Sequence, residues 1–205
     1  MILILTGGIG SGKSLAAGML NEMYGFPVYS ADRRVKDLYA ERPELLERIE
    51  KETGCAVRDE NGLFVPSLLS RKIFSDDTAL NKVECLVFPV LMEDFKEWMK
   101  EHPSPVHILE SATILEKEFF RGFGDFALVI NAPSDVRIKR AVERDSVTPE
   151  HVKARLDKQS VMNDLSRLDV ACWLPYEVCE NAGTSDDLRA NLTDFVEKYG
   201  LTKML

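Results

Sequence analysis

The chain has 205 residues, 45% of them hydrophobic and 29% charged, with a formal net charge of −8 and an isoelectric point near 5.0. These are ordinary values for a soluble globular protein of one domain, or a core with one or two small insertions. An acidic surface argues against a nucleic-acid-binding protein, which would carry a basic field, but leaves room for an anionic small substrate in a locally basic cleft.

Residues 1–6 contain the apolar run Ile2-Leu3-Ile4-Leu5 and read as a first strand. Thr6-Gly7-Gly8-Ile9-Gly10-Ser11-Gly12-Lys13-Ser14 follows, and residues 13–23 read as a helix closed by a glycine cap at Tyr24-Gly25. Gly7, Gly12, Lys13 and Ser14 fit G-x4-G-K-[ST], the phosphate-binding loop. Glycines let successive backbone N–H groups turn inward as an anion nest, and the new helix adds its positive dipole end. Lys13 can reach the β- and γ-phosphates, and the Ser14 hydroxyl can ligate Mg2+. A nucleoside triphosphate site follows from this, though not the fate of the triphosphate.

Phe26 to Ser30 reads as a second strand and Arg33 to Tyr39 as a helix, so the chain opens with a βαβ unit and predicts a parallel sheet with a right-handed crossover. Asp32 then falls just beyond the carboxyl end of the second strand, the edge where open α/β sheets bind ligands. The alternative is that Ser30 or Asp32 only caps the next helix. Residues 43–53 read as helix, 56–64 as a small hairpin, Pro66 to Phe74 as helix, and Asp77 to Glu101 as a long helix with a possible break near Pro89. Segment 55–101 therefore reads as a helical insertion on the α/β core.

Val106 to Glu110 and Phe126 to Asn131 are buried-type strands, and Tyr176 to Cys179 is a short last strand. Helices are predicted from Pro133 to Asp145, from the Thr148 cap to about Lys158, over Leu165 to Ala171, and from Asp186 to Tyr199. Arg137, Arg140 and Arg144 share one helical face and make a basic stripe, with Lys139 and Arg155 near in sequence. The stripe is either a solvated face paired with Asp135, Glu143 and Asp145, or a set of arginines for a transferring phosphoryl group. No strand ends in four apolar residues and an Asp; Leu109-Glu110 and Ile130-Asn131 come nearest. With no N-K-x-D motif either, a small-molecule kinase is favoured over a motor ATPase or a GTPase switch.

The four cysteines form no C-x-x-C and no zinc spacing, and His102, His107 and His151 form no ligand cluster, so the histidines read as structural or exposed. Cys85 and Cys179 lie in apolar runs and read as core. The longest apolar segment, Cys85 to Met92, is too short to span a bilayer, and the N-terminus lacks a signal-peptide pattern. A cytoplasmic protein with reduced thiols and no membrane partner is expected.

An ordered series of motifs resembles the dephospho-CoA kinase family. It starts at Leu5 to Ser14 and continues through Ser30-Ala31-Asp32 (the family's D-A-D), then Gly62, Phe64, Leu69 and Phe74-Ser75-Asp76. Phe88-Pro89 stands for H-P, and Ala112-Thr113-Ile114-Leu115-Glu116 for P-L-L-F-E. Arg140…Arg144-Asp145, Arg155…Gln159 and Glu180-Asn181-Ala182-Gly183 complete it. This chain departs from the family pattern at Ser30, Leu15, Val65-Pro66, Phe88 and Pro175-Tyr176.

The resemblance implies a P-loop NTPase three-layer sandwich, a five-stranded parallel sheet flanked by helices. The core would be 1–54, 104–139 and 172–205, with a helical substrate insertion at 55–103 and a lid at 140–171. ATP and Mg2+ would serve phosphorylation of the dephospho-CoA ribose 3′-hydroxyl, with no nucleic-acid partner and a monomer favoured. Gly8, Gly10, Ser11, Gly12, Lys13, Ser14 and Leu15 would hold the ATP phosphates, with Ser14 on the metal. Asn181 and Gly183 would lie near adenine. Asp32, Lys13, Arg140 and Arg144 would be catalytic, and Asp32, Phe74, Phe88 and Glu116 would meet the acceptor. A kinase for another small hydroxyl substrate, or a nucleotide-binding protein without turnover, are the alternatives.

Overall fold

A computed structural model describes residues 1–157 and 159–204 and divides them into two compact units, Met1–Ser30 with His102–Leu205 and Ala31–Glu101. In the first, β1 (Ile2–Thr6) leads through the glycine loop into α1 (Lys13–Tyr24) and then β2 (Val28–Ser30). In the second, α2 (Ala31–Glu41), α3 (Pro43–Thr53), α4 (Pro66–Ser75) and α5 (Asp77–Glu101) follow one another. The chain returns to the first unit with β3 (His107–Glu110), two short 3-10 turns, β4 (Phe126–Asn131), α6 (Ser134–Asp145), α7 (Pro149–Leu156), α8 (Ser160–Asn163), α9 (Leu168–Ala171), β5 (Tyr176–Glu180) and α10 (Ser185–Lys198).

The five strands form one parallel sheet in the order β2-β3-β1-β4-β5. β1 is central because its run of apolar residues is buried on both faces, the usual condition of a parallel strand between helical layers. Leu3 and Leu5 pack with Ile108, Leu128 and Ile130 against Ala16, Met19 and Leu20 of α1 and Leu188, Leu192 and Phe195 of α10. Ile4, Leu109, Ala127 and Val129 point the other way and are equally buried. α1 stops at Gly25, whose N–H donates to the Asn21 carbonyl at 2.8 Å with φ of 70°. α10 begins in a capping box between Thr184 and Asp187.

The helical unit has its own core. Tyr39, Leu45, Leu46 and Ile49 pack against Val57, Leu69, Val83 and Val87. α2 and α3 therefore belong with the later helices, and the unit starts at Ala31 rather than at the expected residue 55. Its α5 is one continuous helix with Pro89 inside it. The expected hairpin at 56–64 is reduced to a single antiparallel bridge between Arg58 and Phe64. Arg34 joins Asp94 at 2.7 Å and Glu41 at 2.7 Å, tying α2 to α5.

Two expectations change in detail. The helix after Thr148 ends at Leu156; its expected end at Lys158 lies outside the described residues. Cys85, expected in the core, is exposed, while Cys179 is buried. α5 buries Ala79, Val83, Val87, Leu91 and Phe95, a ladder stepping by four residues. Cys85 falls two residues past Val83, on the opposite side of the cylinder. A thiol reagent should therefore label Cys85 in the native protein and reach Cys179 only on unfolding. In urea melts, Cys85→Ser should shift stability by less than about 0.5 kcal/mol, and Cys179→Ser should cost about 1–3 kcal/mol.

Candidate active site

The glycine loop leaves the carboxyl end of the central strand and becomes the first turn of α1. Its Gly12 holds φ of 94° at the α1 N-cap, and Gly10 holds φ of 76°. The Ser11 N–H donates to the Gly8 carbonyl at 3.0 Å, and the Ala16 N–H to the Gly12 carbonyl at 2.9 Å. A Cβ on Gly10 would run into the backbone carbonyl of Arg137, and one on Gly12 into the Asn181 amide. Glycine is thus required here for close approach as well as for left-handed backbone.

Glu110 ends β3, beside β1, and is only 5% exposed. Its Oε1 accepts a hydrogen bond from the Ser14 hydroxyl at 2.6 Å and lies 4.0 Å from Lys13 Nζ. A buried carboxylate is thereby set next to the hydroxyl and the ammonium of the phosphate loop. In the sequence, Leu109-Glu110 comes near the strand-end acid pattern, with Glu where that pattern has Asp. The signal was present, since three consecutive residues, Ile108, Leu109 and Glu110, end a buried strand.

A cleft of about 200 Å³ is lined by Gly10, Gly12, Lys13, Ser14, Leu15, Arg140 and Arg144. A second, of about 300 Å³, is lined by Ser14, Ala17, Gly18, Asn21, Val28 and Glu110, so the two meet at Ser14. The structure thus brings the loop and two of the three α6 arginines to one place. Arg140 Nη1 donates to the Asn181 carbonyl at 2.9 Å, which leaves its other guanidinium face for the cleft. Arg144 is paired with its neighbour Asp145 at 2.7 Å, which holds the guanidinium above its ordinary pKa.

Arg137 corrects the expected basic stripe. It is 2% exposed, turned inward against the loop, and burial lowers its pKa. Spacing put the three arginines on one face, but that face runs from the packed loop at Arg137 to solvent at Arg144.

Asn181 sits behind the loop. It is 4% exposed, and its Nδ2 donates to the Ser11 carbonyl at 2.8 Å. Gly183 packs beside Asp187, next to the α10 capping box. Glu116 lines a separate hollow of about 540 Å³ with Arg121, Val161, Arg167 and Trp173. Its Oε1 accepts from the Val161 N–H at 3.0 Å, and burial pushes its carboxyl pKa up. Asp32, Phe74 and Phe88 lie in the helical unit: Asp32 exposed on the first turn of α2, Phe74 exposed at the end of α4, and Phe88 half-buried on α5.

A parallel sheet with a glycine phosphate loop between its central strand and the first helix, a strand-end acid and facing arginines defines a P-loop kinase. A family model described as CoaE, dephospho-CoA kinase, matches residues 1–186, and the chain belongs to the dephospho-CoA kinase family. It is 33% identical over 165 residues to a dephospho-CoA kinase of Porphyromonas gingivalis, covering 80% of this chain and 79% of that one. It is 30% identical over 199 residues to a dephospho-CoA kinase of Fusobacterium nucleatum, covering 96% and 97%. A crystal structure from Thermus thermophilus matches with TM-score 0.80 at 27% identity over 97% of each chain. Dephospho-CoA kinase from Campylobacter jejuni shares the fold, with TM-score 0.64 at 22% identity over 98% of each chain.

Gly10→Ala should lower stability by at least about 2 kcal/mol in urea titration, because both the left-handed backbone and the Arg137 carbonyl oppose a Cβ. Gly18→Ala, in the same helix-loop segment but with open space around the new methyl, should raise it by about 0.5–1 kcal/mol.

Proposed function

We propose that this chain transfers the γ-phosphoryl group of ATP to the ribose 3′-hydroxyl of dephospho-CoA, giving coenzyme A and ADP, the last step of coenzyme A synthesis. What carries the reading is the family match over residues 1–186 together with an intact phosphate loop. We further propose a monomer working in the cytoplasm.

Phosphoryl transfer passes through a loose transition state, so the protein mainly aligns the reactants and neutralises spreading charge. In this reading the N–H groups of Gly10 to Ser14 and the start of α1 cradle the phosphates. Lys13, Arg140 and Arg144 meet the charge on the transferred group, and Leu15 packs at the mouth of the cleft. Asn181 serves the nucleotide indirectly, through the Ser11 carbonyl it braces, with Gly183 close behind it in sequence. Asp32 accepts or orients the hydroxyl proton. Segment 55–103 holds dephospho-CoA, with Phe74 and Phe88 among its apolar contacts and Glu116 supporting the acceptor. Segment 140–171 acts as a lid that keeps water from the phosphoryl group.

The residues fit Mg2+. Ser14 is exposed and its hydroxyl meets the Glu110 carboxylate at 2.6 Å. These are the hard oxygen groups that Mg2+ takes one or two at a time, the phosphates and waters supplying the rest. When bound, the cation neutralises charge on the phosphoryl oxygens.

The direct test is one incubation with dephospho-CoA, ATP and Mg2+, followed by chromatography for coenzyme A. No product, with ATP left intact, would refute the assignment. Asp32→Asn should lower kcat by at least ~100-fold while the KM for ATP stays within about threefold. Lys13→Ala should sharply weaken use of ATP in the same assay, and full activity in that variant would remove the loop from the reaction. Glu110→Gln should raise the Mg2+ concentration for half-maximal activity by roughly 10- to 100-fold, as expected when a group orienting a metal ligand is lost.

A further inference from the structure

Ile9 is the residue of the phosphate loop held most completely from behind. Its side chain is buried against Ala141, Val152 and Leu156 of α6 and α7. Its N–H donates to Gln159 Oε1 at 2.8 Å, and its carbonyl accepts from Arg137 Nε at 3.1 Å. Arg137 Nη1 donates in turn to the Met162 carbonyl at 3.0 Å, so one guanidinium ties the loop to α8.

The rest of that guanidinium is unmatched. Nη2 is buried with no hydrogen-bond partner, and among the described residues no carboxylate pairs with Arg137. An arginine keeps its charge in a protein, and a buried cation without an anion is costly. Burial is the only cause acting on its pKa, which is lowered. Nη2 presses on the loop itself, where a Cβ on Gly8 would collide with it. The loop that Nη2 presses on is the one whose backbone N–H groups are of the kind that hold anions.

We propose that Arg137 is an electrostatic positioning residue of the phosphate loop: it holds Ile9 in place, and the bound polyphosphate is the counter-ion it lacks in the free chain. The inference rests on the reading that the loop binds a triphosphate. It gives Arg137 a signature that a packing role would not. Removing the charge relieves the free chain and weakens the complex.

The test uses Arg137→Gln, which removes the charge and keeps a donor, and Arg137→Lys, which keeps the charge. Binding of ATP and of inorganic tripolyphosphate is measured by calorimetry, alongside the melting temperature without ligand and the split between KM and kcat. For Arg137→Gln, both ligands should bind about tenfold more weakly, as one nearby charge interaction allows. The KM for ATP should rise by the same factor with a smaller change in kcat, and the free protein should melt no lower than the parent. Arg137→Lys should recover most of the lost affinity.

Tripolyphosphate binding by Arg137→Gln within about twofold of the parent would overturn the proposal, since a charge interaction of this kind predicts about tenfold. So would a fall in melting temperature in Arg137→Gln that Arg137→Lys restores in full, because the charge would then be stabilising the free chain. A parent protein that binds neither ligand would instead remove the triphosphate reading, and this inference with it.

Discussion

A loop that binds anions through its own backbone N–H groups cannot also spend those groups on a helix or a sheet. Something else must fix its shape, because buried backbone polar groups need partners and an open turn has few. In this protein the work is divided among residues distant in sequence. Asn181 takes the Ser11 carbonyl, Arg137 the Ile9 carbonyl and Gln159 the Ile9 N–H. Glu110 takes the Ser14 hydroxyl. The inward face is thereby left for phosphate.

The sheet order explains why these residues can meet. With β1 between β3 and β4, the loop at its carboxyl end is flanked by the ends of both neighbours. Glu110 ends β3, and Asn131, at the end of β4, accepts the Asn181 N–H at 2.7 Å. α6, which starts three residues after β4 ends, then carries Arg137 to the back of the loop and Arg140 to its mouth. Parallel strands put every one of these ends on the same edge, the edge where α/β sheets hold their ligands.

Much of this was legible in the sequence, and what was not has a common cause. The apolar runs marked all five strands, and the glycine spacing marked the loop. The capping signals at Gly25 and Thr148 sit at observed helix ends. Local rules suffice where the determinant is local. They failed where depth decides: Cys85 lies in an apolar run but on the outer side of α5, and α2 and α3 join the helical unit through a core that no local pattern announces.

The three arginines of α6 show the difference most sharply. A helix period places residues 137, 140 and 144 on one face, and identical side chains suggest identical work. Yet a face is a gradient of burial, and the charge does something different at each depth. At Arg144, water and Asp145 screen it, so it is worth little until a ligand excludes that water. At Arg140 one edge is committed to the Asn181 carbonyl, which aims the rest of the guanidinium without cancelling its charge. At Arg137 screening is gone and, among the described residues, no acid replaces it, so the charge is felt through the loop backbone. Periodicity identifies which side chains share a surface, and only packing sets how strongly each one acts there.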